Sequence, residues 1–206
     1  MKKNNDCFIG ILILFFGIQA NAADRVIRNH SFDLEDIDEV EINNSVGSID
    51  LRLVEGNELI IEVEIEEDRA FFRRQVDVDD VDVEARTRGD KLILSIDEDD
   101  IKAHWYIEMP MVSAIDIDMG VGEIEAEIDG SDLEIDLGVG DVDVFAMLAS
   151  TGEIEISAGV GDTHIRGVRS VESTRAVVSS ESEAMGEGDA SISVEVSVGD
   201  ISVELD

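Results

Sequence analysis

Cysteine occurs once in this chain, at Cys7, and proline once, at Pro110. With no cysteine after residue 7, disulfides, thiolate metal sites and a cysteine nucleophile are excluded from everything that follows it. Aromatic residues make up 4% of the chain, and Trp105 and Tyr106 are the single tryptophan and tyrosine. Positive charge is equally scarce: 15 basic residues stand against 50 acidic ones, a formal charge of −35, and beyond residue 3 the lysines are Lys91 and Lys102. Nucleic acid and anionic membrane surfaces are recognised through clustered Lys and Arg, so neither is expected as a partner. Long apolar runs are missing too. The longest, Phe8 to Ile18, falls well short of the roughly 20 residues that span a bilayer as a helix.

That short run has a different reading. Lys2 and Lys3 precede it and Ala20-Asn21-Ala22 follows it, the order of a basic start, an apolar core and a small-residue cleavage site. Residues 1–22 are therefore expected to be a signal peptide, with the mature chain starting near Ala23 as a soluble exported protein, periplasmic or extracellular. A membrane anchor is the competing reading. Cys7 lies ahead of the apolar core, so it is not the lipidated first residue of a lipoprotein. Without Lys2, Lys3 and Asp6 the mature 184 residues carry 49 acids and 13 bases, a charge of −36.

What the chain does have is alternation. In Met119 to Phe145, Ile124, Ala126 and Ile128 interleave with Glu123, Glu125 and Glu127, and Leu133, Ile135 and Leu137 with Asp132, Glu134 and Asp136. A period of two is that of a half-buried strand, and the regular apolar positions argue against reading the acidity as disorder. At each Val-Gly-acid triplet the alternation slips, leaving Val121 and Ile124, or Val139 and Val142, three apart. The triplet is read as a corner joining two strands that face one interior. Corner glycines fall at Gly47, Gly122, Gly140, Gly161 and Gly199. From Gly122 onward, with Ser180-Glu181 standing in for one glycine, the intervals are 18, 21, 19 and 19 residues, a spacing that signals stacked units.

Residues 23–206 are read as one all-β domain, less regular over 32–110 and repeat-regular over 111–206. Val76, Val78, Val81 and Val83 read as strand residues. Glu66 to Gln75, EEDRAFFRRQ, breaks the rhythm; it reads as a short turn whose phenylalanines cover the core, with a basic recognition loop as the sharper option. Trp105, beside His104 and Tyr106, reads as core packing rather than a sugar platform. Two architectures fit: a β-solenoid, whose apolar faces close on each other, or hairpins forming a two-sheet β-sandwich. The solenoid is preferred because the second half holds no amphipathic helix to cover an open face.

The WYIEMP segment followed by GVGEIEAEI, GVGDVDV, AGVGDTHI and SVGDISVEL resembles the bacterial adhesin-like family with the toast-rack fold, over about residues 32 to 206. The resemblance implies a single-stranded, right-handed β-helix-like domain, exported or attached to the envelope, with no established enzymatic activity. It supplies no binding residues.

Catalytic constellations are not evident. His30, His104 and His164 are scattered, and neither a G-x-S-x-G elbow nor a phosphate-cradling glycine motif occurs. No catalytic residue and no cofactor is assigned. Calcium is the sharper alternative, because Glu123, Asp141, Asp162 and Asp200 follow the corner glycines and could stack into an oxygen-ligand ladder. The glycine-rich nine-residue repeat of calcium-binding β-rolls and the EF-hand loop are both absent. Adaptation to salt is a third account of the acidity. The expectation is an exported, non-enzymatic binding, adhesin-like or structural module of the cell envelope with an unknown protein or envelope partner. The alternative is an envelope protein that binds divalent cations and depends on them for stability.

Overall fold

Alternation sets each strand's buried side, and glycine sets where the strand bends. In the computed structural model, which describes residues 25–68, 77–96, 98 and 100–206, the strands are β1 (Arg25–Asp33), β2 (Glu39–Leu53), β3 (Glu58–Glu67), β4 (Glu84–Arg88), β5 (Lys91–Ser95), β6 (Ile101–Met109), β7 (Ala114–Ile128), β8 (Asp132–Ala146), β9 (Thr151–Val160), β10 (Thr163–Arg166), β11 (Val171–Arg175), β12 (Ser180–Met185), β13 (Ala190–Val198) and β14 (Ile201–Leu205). All fourteen hydrogen-bond into one sheet. Val78–Asp80 forms a 3-10 helix.

The bend falls at Gly47 within β2, Gly122 within β7, Gly140 within β8, Gly161 between β9 and β10, and Gly199 between β13 and β14, all with φ between +140° and +151°. Such backbone is open to glycine and strained for residues with a Cβ. Cross-strand register stacks the corners, with Gly47 opposite Gly122 and Gly122 opposite Gly140. Beyond them Val198 aligns with both Val139 and Val160. Each bent rung therefore has two arms. The first arms run β5-β2-β7-β8-β13-β9 and the second β6-β2-β7-β8-β14-β10, all parallel. Antiparallel strands extend this solenoid-like stack: β4 beside β5, β3 and β1 beside β6, β12 and β11 beside β9. One apolar core, from Leu34 to Leu205, draws on both arms.

The rungs are not stacked in chain order. β13 and β14 lie between β8 and the β9–β10 rung, so Gly199 sits next to Gly140 although Gly161 follows Gly140 in sequence. Inward side-chain bulk falls off along this order. The inserted rung buries Ile192, Val194, Val196, Ile201, Val203 and Leu205; the next inward-facing strands offer Ile154, Ile156 and Ala158, and then Ser180, Ser182 and Ala184. The core thus tapers toward one end, where the Thr163 hydroxyl lies 2.8 Å from those of Ser180 and Ser182. Ser180, expected to replace a fifth corner, instead belongs to β12, antiparallel to β9.

Two further expectations are corrected. The triplet valines do not face the interior: the bend turns Val121, Val139, Val160 and Val198 outward, 44–47% exposed, and the inward neighbours are Met119, Leu137, Ala158 and Val196. Residues 78–83 are not strand, because the Asp77 carboxylate accepts the Asp79 amide and caps the 3-10 helix. The polar β1 segment, RVIRNHSFD, is a nine-residue strand paired with β3. Of EEDRAFFRRQ, Arg69 to Gln75 lie outside the described residues, as do Val76, read as a strand residue, and residues 1–24 with the signal-peptide expectation.

Candidate functional site

The acids that follow the corner glycines share one row. Ser48, Glu123 and Asp141 are opposite one another across β2, β7 and β8. Asp141 Oδ1 then accepts the backbone N–H of Asp200 at 2.9 Å, and Asp200 Oδ1 accepts that of Asp162 at 2.8 Å. Asp162 ends the row in an ion pair with Arg175. Asp141 and Asp200 thus each satisfy a corner amide of the next rung, a charge-assisted bond that offsets the repulsion between acids one rung, about 4.8 Å, apart. The four metal candidates are therefore brought together in one line, in which Asp141 and Asp200 are corner caps, Asp162 is ion-paired with Arg175 and Glu123 stands opposite Asp141. Among the described residues no group of three or more His, Cys, Asp or Glu is placed to hold a metal ion.

At the other end of this row Ser48 Oγ lies 2.8 Å from His104 Nδ1, and His104 Nε2 lies 3.9 Å from Glu66 Oε1. A hydroxyl beside an imidazole beside a carboxylate has the order of a nucleophile, base and orienter. Here, however, it lies on the outer, partly exposed side of β2, β6 and β3, with the imidazole–carboxylate distance beyond hydrogen-bonding range. Periodicity could not have shown this pairing, because Ser48 and His104 meet only through the β2–β6 register. The other histidines lie on different rows: His30 Nε2 is 2.9 Å from Asp82 Oδ1, and His164 is opposite Ser202. Trp105 is fully buried, which removes it as a sugar platform, whereas Tyr106 is exposed.

Lys91 is the most strongly held cation. Its Nζ lies 2.7 Å from both Glu39 Oε1 and Glu41 Oε2 and 3.4 Å from Asp116 Oδ2. Glu39 and then Glu41 hold the ammonium well above its ordinary range, and hydrogen bonds from Lys91 and Asn43 draw the Glu41 carboxyl below its own. Beside it a polar hollow of about 560 Å³ is lined by Glu41, Asn43, Ser45, Arg86, Arg88 and Asp118, among others. Arg86 is engaged by Glu84. A second hollow, about 400 Å³, lies against β9 and β12 at the tapered end.

The bent rungs and their glycine stack are the geometry on which the comparisons bear. The family model for the N-terminal domain of toast_rack, DUF2154, matches residues 21–166. The chain belongs to this toast-rack family. No curated protein matches it in sequence. A solved cell adhesion protein from Clostridium sporogenes, so described provisionally, is 13% identical; the likeness covers 88% of this chain and all of that one, with a TM-score of 0.50. An adhesin from Bacteroides fragilis, also provisionally described, is 14% identical over 86% of this chain and 97% of its own, with a TM-score of 0.31. The first likeness shows the shared fold. The matched segment ends at Arg166, yet β13 and β14 beyond it fill the rung between β8 and β9. Among the described residues, no helix is long and apolar enough to cross a membrane.

Proposed function

We infer that this toast-rack chain is an exported, non-enzymatic binding module of the cell envelope. The observation that carries this reading is the use its surface makes of polar groups. The acids alternate outward along β7 and β8, and Asp141 and Asp200 at the corner cap backbone amides instead of converging on a cleft. A stack of bent rungs offers long, flat, repetitive faces, the kind of surface that repeat architectures use to hold extended partners. The Ser48–His104 contact lies on the outer, partly exposed side of the sheet, and its third member stands 3.9 Å away. The adhesion-related description of the Clostridium sporogenes relative is consistent with binding.

Export is tested by expressing the full chain in a bacterial host, fractionating the cells and measuring the intact mass of the product. The expected result is a periplasmic or extracellular protein lacking residues 1–22, starting near Ala23. A full-length chain retained with the membrane would contradict the reading and favour an anchor.

A further inference from the structure

The outward-turned valines form a ladder of their own. Register aligns Val46 with Val121, Val121 with Val139, Val139 with Val198, and Val198 with Val160. The last four are 44–47% exposed and Val46 is part-exposed. A single exposed valine needs no explanation, whereas an unbroken row of five is a continuous apolar stripe. At one rung spacing of about 4.8 Å the row is roughly 19 Å long. It is also kept bare on both sides. The corner glycines flank it on one side, and Ser45, Gly120, Gly138, Ser197 and Gly159 precede the valines on the other. A Cβ at Gly138 would stand 2.5 Å from the Gly120 carbonyl oxygen, so these flanks cannot be widened. Two residues past each valine runs the row of Ser48, Glu123, Asp141, Asp200 and Asp162.

We propose that this valine ridge, with the acid row alongside it, is a docking surface for a basic amphipathic helix of a partner polypeptide. The inference rests on reading the chain as a binding module and names the place and the partner chemistry. Spacing selects the helix. Its turns repeat every 5.4 Å or so, close to the rungs, whereas alternate side chains of an extended strand repeat about every 6.7 Å and lose register within three rungs. A helix of about 14 residues covers the ridge. Charge selects its second face: apolar residues lie on the valines, and Lys or Arg on the adjacent stripe meet the acids. A second copy of this chain is disfavoured, since it would set one acid row and −35 charges against another.

Fluorescence anisotropy with three labelled 18-residue peptides tests this on the full chain. The first has a leucine stripe flanked by lysines, the second the same composition scrambled to remove the stripe, and the third glutamate in place of lysine. The chain is expected to bind the first at least tenfold more tightly than the second and not to bind the third. The triple variant Val121→Thr, Val139→Thr, Val198→Thr should lose that tenfold margin while keeping its melting temperature. Glu134→Gln, Asp136→Asn, Glu195→Gln, which removes three charges elsewhere on the first arms, should keep it. If the valine triple variant melts early, the single variants Val121→Thr and Val198→Thr each carry the same expectation. Equal affinity for the scrambled peptide, or a margin that survives the valine changes, overturns the ridge as the site. Valine-dependent binding to zwitterionic vesicles, or valine-dependent dimerisation in sedimentation, overturns the partner. None of these outcomes touches the mass and fractionation result, which judges the exported module separately.

Discussion

A β-carbon on Gly140 would stand 1.7 Å from the carbonyl oxygen of Gly122, and its φ of +140° already disfavours any side chain. The same collision recurs at each stacked corner, where the nearest atom is always backbone of the neighbouring rung. Backbone fixed by hydrogen bonds on both sides cannot step aside, so the cost cannot be relieved locally. Gly140→Val is expected to destabilise by at least ~3 kcal/mol, the sum of backbone strain and overlap. At about 3 °C per kcal/mol for a chain of this size, its melting temperature should fall by roughly 10 °C or more. Asp136→Asn, on the exposed face of β8, should change it by about 1–2 °C. Differential scanning calorimetry of the two variants checks the contrast. These corners were legible because only glycine recurs where the apolar period slips. The outward turn of the valines was not, since alternation assigns them inward parity and a bend is invisible to a period-two count.

At the scale of elements, the strands were readable and their neighbours were not. Each rung carries the same Val-Gly-acid triplet, so the interval between corners reports that rungs exist without reporting which lies beside which. The bulk of the inward residues follows that order, large on β13 and small on β12, a comparison that makes sense only once the two arms are known to share a core. β1 is only faintly marked in the sequence because it is polar and its alternation weak, although β3 supplies it with a full antiparallel partner. The Ser48–His104 contact was likewise hidden, as it depends on register between strands more than fifty residues apart. Insertion of β13–β14 between β8 and β9–β10 has a consequence for folding. A chain ending at Arg166, where the family match ends, would leave β8 and β9 without the strand that joins them and would expose Leu133, Ile135, Ile154 and Ile156. Such a truncation is expected to lack a cooperative thermal transition by circular dichroism. A sharp melt near that of the full chain would show that residues 25–166 close their own core.

For the whole molecule the dominant quantity is charge. At −35 the folded chain repels itself, and hydrogen-bonded rungs cannot move apart to relieve it, whereas the unfolded chain can. Ions screen that repulsion over about 8 Å at physiological strength, so added salt should raise stability. The acid row is where the structural account and a cation-binding account part. If Asp141 and Asp200 serve as corner caps and Asp162 as the partner of Arg175, all with bonds made within the chain, then sodium and calcium chloride at matched ionic strength act alike, through screening. A specific ladder would instead respond to calcium at micromolar to millimolar concentration and saturate. Thermal melts of the full chain across both titrations decide between them. The account predicts similar, unsaturated rises in melting temperature in the two salts, and lower stability of Asp141→Asn and Asp162→Asn in either. A large, saturable rise with calcium alone, abolished by those two substitutions, would contradict it.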